Sequence, residues 1–180
     1  MTDLEEILVE KAKAGDLKSF EILVSRYQKK VFGFIYRMVL SVEDARDLTQ
    51  EVFLSVFRSL GKFRGDAKFS SWLYRIASNK SLDFLKKNRK LQVIDEEIIA
   101  TSESPEQVFL QQDKIRHLRS IIARLPDKYR LVLILFHYEN FTYRQIANTL
   151  DIPEKTVATR IYRAKLILKE RLGGEKDGTV

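Results

Sequence analysis

Cysteine is absent from this 180-residue chain. That excludes disulfides and thiolate metal sites, and it fits a reducing compartment. Histidine is scarce. His117 and His137 stand singly, with no H-E-x-x-H or comparable ligand pair, so no metal site is expected. There is no G-x-x-x-x-G-K-[ST] phosphate loop and no G-x-S-x-G elbow. Neither a catalytic residue nor a cofactor is expected, and the chain reads as a binding protein rather than an enzyme. No apolar run approaches a membrane span, so no direct membrane insertion is expected. The start, MTDLEEILVEKAKAGD, lacks the basic onset and continuous apolar core of a signal peptide, which predicts a cytoplasmic protein. Prolines number three, Pro105, Pro126 and Pro153, and each stands at a break between helical segments. Convincing strand alternation, internal repeats and low-complexity segments are missing too.

What is present is charge, unevenly placed. The formal net charge is +7, which makes a polyanionic partner plausible. Residues 1–90 hold 18 Lys and Arg against 12 Asp and Glu, and residues 114–180 hold 14 against seven. Between them, residues 91–113 hold six acids and no base. Two basic modules are therefore joined by an acidic connector. The predicted organisation is a first module over residues 1–88, a linker over 89–104, a second module over 105–174 and a tail over 175–180.

The fold class expected is all-α, two small helical domains joined by a flexible acidic linker. Helical spacing predicts helices from Glu5 to Ala14, from Leu17 to Leu40, from Ser41 to Leu60 and from Ser70 or Ser71 to about Lys87. The second module reads as helices from Glu106 to Leu125 and from Asp127 to Tyr138, then two more. Asn140 suits a left-handed residue between helices. Thr142 and Gln145 form a T-x-x-Q capping box, Ile146, Ala147 and Leu150 give one apolar face, and Asp151-Ile152-Pro153 ends that helix. Pro153 is placed as the first residue of the last helix.

That last pair predicts a helix-turn-helix, whose second helix enters a DNA major groove. At 100° per residue, Val157, Ile161, Ala164 and Leu168 form an inward stripe. Lys155, Thr156, Thr159, Tyr162 and Arg163 lie opposite, with Arg160 and Lys165 at the flanks. Hydroxyls, one aromatic and several cations suit phosphates and base edges. The bland alternative is an amphipathic helix with a solvated basic face.

Two other segments stand out. On the third helix Ala45, Leu48, Val52, Val56 and Leu60 make a buried stripe. The opposite side carries Asp47, Gln50, Leu54 and Phe57, with Glu51 beside them. Exposed apolar groups ringed by carboxylates and an amide compose a protein-binding face, unless Leu54 and Phe57 simply pack on the second helix. Before the fourth helix, Lys62-Phe63-Arg64-Gly65-Asp66-Ala67-Lys68-Phe69 mixes cations, aromatics and a glycine, and Trp72, Arg75 and Asn79 follow on one stripe. Aromatics stack on unpaired bases, and cations hold the backbone, so this loop suits separated strands. The alternative is that Phe63, Phe69 and Trp72 seal the end of a small core.

The stretches DARDLTQEVFLSVF (44–57), FRGDAKFSSWLYRIASNKSLDFLKK (63–87) and LPDKYRLVLILFHYENFTYRQIANTLDIPEKTVATRIYRAKLILKERL (125–172) resemble the extracytoplasmic-function, or group IV, sigma factors of bacterial RNA polymerase. The resemblance covers nearly the whole chain and preserves the order of three motifs. It implies a dissociable initiation subunit made of sigma domains two and four. It implies that Asp44, Asp47, Gln50, Glu51, Phe53 and Leu54 dock on the β′ clamp helices of core RNA polymerase, with further contact to the β subunit. It implies capture of a flipped, single-stranded minus-ten base by Phe63, Arg64, Gly65, Asp66, Lys68 and Phe69, with Trp72, Arg75 and Asn79. It implies that Lys155, Thr156, Thr159, Arg160, Tyr162, Arg163 and Lys165 read the upstream minus-thirty-five duplex. It also implies an anti-sigma factor as a partner and a linker path through the polymerase's RNA channel. Ala158 stands where many relatives have a base, and Arg46 where an acid is common.

The physics accommodates these roles. A linker of about 15 residues spans up to ~50 Å extended, at roughly 3.3–3.6 Å per residue. As a free coil it averages about 20–25 Å. A free-standing helix-turn-helix regulator is the runner-up reading. It would need a dimerisation seam, and none is obvious in the sequence.

Overall fold

The structure is a computed structural model and describes residues 4–92 and 120–173. Every regular element among the described residues is helical. They are α1 (Leu4–Lys13), α2 (Leu17–Val39), α3 (Val42–Ser59), a 3₁₀ turn (Leu60–Lys62), α4 (Phe69–Gln92), α5 (Asp127–His137), α6 (Tyr143–Leu150) and α7 (Glu154–Gly173). Residues 120–123 are helical and belong to the segment expected to start at Glu106. The rest of that segment, most of the acidic linker and His117 lie outside the described residues.

Local chemistry sets the helix ends. Asp16 caps α2, its carboxylate accepting from the Ser19 backbone N–H at 3.3 Å and from the Ser19 hydroxyl at 2.5 Å. Leu40 ends α2 in the left-handed region, φ 66°, and its N–H donates to the Tyr36 carbonyl. Ser41 Oγ accepts from the Asp44 N–H and starts α3. Asn140 is left-handed, φ 56°, as its sequence position predicts.

Three expected helix ends differ. α4 begins at Phe69, before either serine, and runs five residues past Lys87 to Gln92. No glycine or proline interrupts KKNRKLQ, so the helix propagates into the stretch assigned to the linker. Pro153 precedes the last helix rather than opening it. Its carbonyl accepts from the Thr156 and Val157 N–H groups.

α1 to α4 pack around Leu23, Val31, Phe34, Ile35, Met38, Val52, Val56 and Leu73, all fully buried or nearly so. α5 to α7 pack around Ile134, Leu135, Ile146, Val157 and Ile161. The sequence reading treats these as separate cores, but in the structure they merge into one apolar cluster. α4 lies on α6, and α2 lies on α5.

Tyr74 is the centre of this seam. Its ring meets Phe34 edge-on at 5.3 Å and Phe141 at 5.3 Å. Such aromatic pairs are each worth about 0.5–1.5 kcal/mol beyond area burial. The Tyr74 hydroxyl donates to Glu139. Burial pushes both the phenol and the Glu139 carboxyl above their usual values. The Arg37 guanidinium sits 4.2 Å over the Tyr138 ring, Arg75 pairs with Asp151 at 3.6 Å, and Arg89 pairs with Asp127.

Candidate nucleic-acid interface

α6 and α7 form the predicted helix-turn-helix. Thr142 and Gln145 make the capping box in both directions. The Gln145 N–H donates to Thr142 Oγ1 at 3.2 Å, and the Thr142 N–H donates to Gln145 Oε1 at 2.8 Å. Asp151 turns the chain in the left-handed region, φ 54°. Val157, Ile161 and Ala164 are buried, which fixes the rotation of α7. Leu168, expected on the same stripe, is only half-buried and packs against the Leu125–Tyr129–Leu133–Ala164 cluster.

The rotation turns a basic surface outward. Lys155, Thr156, Thr159, Arg160 and Arg163 line one open cavity of about 450 Å³. Lys128, Tyr129 and Pro153 complete it. The Thr159 hydroxyl donates to the Lys155 carbonyl of its own helix at 2.9 Å, which leaves its oxygen as an acceptor. Tyr162 is 67% exposed but lies outside this cavity. Lys165 is turned elsewhere as well, its ammonium 5.7 Å from the centre of the Phe136 ring.

The loop before α4 makes a second cavity of about 240 Å³. Phe63, Arg64, Gly65, Asp66, Trp72 and Arg75 line it, with Lys62, Ala67, Ser71 and Asn148. Gly65 turns the loop with φ 79°, a conformation L side chains rarely adopt. Phe63 and Trp72 lie 5.0 Å apart with tilted rings. Phe69 is a different matter. It is buried against Tyr27 at 5.7 Å and does not line the cavity, so it packs the core. Phe63 is also largely buried. The core-sealing alternative therefore holds for Phe69 and for most of Phe63, while the half-buried Trp72 still borders the cavity. Lys68 and Asn79 are exposed and outside the cavity lining.

On α3 the mixed face stands open. Asp47, Gln50 and Glu51 are exposed, Asp44 and Phe53 are half-buried, and Leu54 is 54% exposed. Phe57 is 51% exposed yet edges onto Phe20 of α2 at 5.1 Å, so it contributes to packing as well. Glu51 holds Lys80 of α4 at 3.1 Å. Arg46 is exposed next to this face.

Sequence reasoning missed the residues that reach a site from a distant element. Lys128 and Tyr129 come to the α7 cavity from α5, and Asn148 comes to the loop cavity from α6. No local pattern marks them, because their placement is tertiary. Among the described residues no group of acids and histidines has the arrangement of a metal site, and no helix is long and apolar enough to cross a membrane.

Two family profiles match the chain. One, for Sigma-70 region 2, matches residues 23–91, and one for Sigma-70, region 4, matches residues 115–168. The chain is 34% identical over 181 residues to the RNA polymerase sigma-H factor of Pseudomonas aeruginosa, covering 93% of each. It is 32% identical over 176 residues to the ECF RNA polymerase sigma factor SigW of Bacillus subtilis, covering 91% of this chain and 94% of that one. In fold it is similar to the sigma factor RpoE solved in complex with the anti-sigma factor NepR from Bartonella quintana. The TM-score is 0.71 at 21% identity, over 87% of this chain and 98% of that one.

Proposed function

This chain belongs to the extracytoplasmic-function sigma factors of bacterial RNA polymerase, and we propose how its parts divide the work of initiation. The first module, residues 1–88, holds core polymerase and the minus-ten region. The open face of α3 docks on the β′ clamp helices through Asp44, Asp47, Gln50, Glu51, Phe53 and Leu54. The loop cavity takes an unpaired base of the non-template strand, with the half-buried Trp72 as the stacking surface, the edge of Phe63 behind it, and Arg64 and Arg75 as phosphate partners. The second module, residues 105–174, lays α7 on the minus-thirty-five duplex. Thr159 and Arg163 read base edges, and Lys155 and Arg160 hold phosphates. The factor works in the cytoplasm as part of the polymerase, and an anti-sigma factor covers its docking faces until it is needed.

The carrying observation is that one chain presents three unlike surfaces at once: an uncovered acidic and apolar helix face, a cavity edged by aromatics and cations, and a cationic cavity on a capped helix-turn-helix. A duplex-only regulator needs just the last. Binding energy drives the strand opening, since extruding a base costs a few kcal/mol and stacking in a pocket offsets it. No catalytic step on this chain is required.

The test is permanganate footprinting of promoter DNA with core polymerase and this protein. Unpaired thymines should appear near the start site only when both proteins are present. No unpaired thymines with both proteins present, together with nuclease protection of intact duplex by the protein alone, would point to a free-standing regulator instead.

A further inference from the structure

The cavity beside α7 is cationic on two sides. Lys155, Arg160 and Arg163 approach from α7, and Lys128 approaches from the first turn of α5. No carboxylate lines it. Of the acids beside it in sequence, Asp127 is turned toward Arg130 and Arg89, and Glu154, between Pro153 and Lys155, is not part of the lining. Four cations around about 450 Å³ repel one another unless an anion lies between them.

Two contacts aim these cations. The Lys128 ammonium sits 5.1 Å from the centre of the Tyr129 ring, within cation–π range. Arg163 Nη1 donates to the Tyr129 hydroxyl at 3.5 Å, the outer edge of a hydrogen bond. Tyr129 is itself fixed, because its ring is buried among Leu125, Leu133 and Ala164. A rigid phenol thus touches both a phosphate-binding candidate and the base-reading candidate.

We propose that the first turn of α5 is part of the upstream DNA site. Lys128 neutralises one further backbone phosphate, and Tyr129 is a positioning residue that sets the direction of the Arg163 guanidinium. The proposal rests on reading α7 as the duplex reader. An arginine addressing a base edge must present its planar fork in one orientation, and a hydroxyl held on a buried ring supplies that constraint without making a DNA contact.

The experiment uses holoenzyme reconstituted from core polymerase and the full chain, with promoter-length duplex DNA. Each phosphate contact contributes about 0.9 to the slope of log affinity against log salt, or roughly 3.5-fold between 50 and 200 mM. Lys128→Ala should flatten the slope by about that much, and Lys128→Arg should restore it. Tyr129→Phe keeps the buried ring and should leave the slope unchanged. It should lower discrimination at one upstream base pair by about threefold or more, in selection from a randomised duplex pool, out of the roughly 5- to 150-fold a good bidentate contact supplies.

Lys155→Ala and Arg160→Ala are the controls. If they flatten the slope and Lys128→Ala does not, the added phosphate contact is wrong while the reading of α7 stands. If none of the three changes the slope, the reading of α7 fails, and this proposal with it. Unchanged base discrimination in Tyr129→Phe overturns the positioning role.

Discussion

Leu54→Ala isolates the docking face of α3. Leu54 is 54% exposed, so a little under half of its side chain is already covered by its own protein. Fully burying a leucine is worth about 1.5–3 kcal/mol. A partner that covers the rest therefore gains about 0.8–1.6 kcal/mol from this side chain, roughly 4- to 15-fold in Kd. The variant should lose that much affinity for core polymerase. Its own stability should move by only about 0.5 kcal/mol, because the site is exposed and alanine is a good helix former. Phe57→Ala is the contrast, since removing that ring also removes the edge contact with Phe20 and should lower the melting temperature. The assay is fluorescence titration of labelled protein with core polymerase, with a urea melt run alongside. Full affinity in Leu54→Ala would place the polymerase contact elsewhere. A large loss of stability would mean that the leucine serves the fold.

Trp72→Leu should cost about tenfold or more in open-complex lifetime, since base–aromatic stacking is worth about 1–3 kcal/mol, and it should fail on pre-melted as well as duplex promoter. Lifetimes equal to the parent's on both templates would reduce Trp72 to core packing. Asp127→Ala should destabilise the fold by about 3–5 kcal/mol in a urea melt, because it leaves the guanidinium of Arg130, with 5% of that side chain exposed, without its carboxylate partner. Glu139→Gln should equal or exceed the parent in melting temperature at pH 7. Burial raises the carboxyl, so its stabilising contribution is present in acid and is lost as pH rises above the usual carboxylate range. The advantage of the glutamine variant should therefore shrink toward pH 5, and a deficit at pH 7 would show that the charge on Glu139, near Arg37 and Lys30, holds the seam.

The parts of this molecule that are local were legible in its sequence. The Thr142–Gln145 capping box, the left-handed Asn140 and the inward stripe Val157–Ile161–Ala164 follow from backbone chemistry and helical period. The seam was not legible. Tyr74 falls on an apolar stripe of α4, and helical spacing cannot say whether that stripe faces its own module or another. The same limit explains Lys128, Tyr129 and Asn148, which reach their cavities only after the helices cross. The sequence pattern puts Phe69 in the loop, yet the helix starts there, and the start turns its ring inward toward Tyr27. The α4 boundary slipped for a simpler reason. A polar, basic sequence without glycine or proline looks like a linker, but it remains able to stay helical where an ion pair such as Arg89–Asp127 holds it.

The most direct measurement is in vitro transcription from a genomic DNA library with purified core polymerase, followed by start-site mapping. With this protein present, transcripts should begin at a small set of positions that share two upstream elements about two helical turns apart. The combined Asp47→Ala, Gln50→Ala and Leu54→Ala variant should abolish them while keeping its helical circular dichroism. Starts that are the same with and without the protein would contradict its assignment as the promoter-selecting subunit.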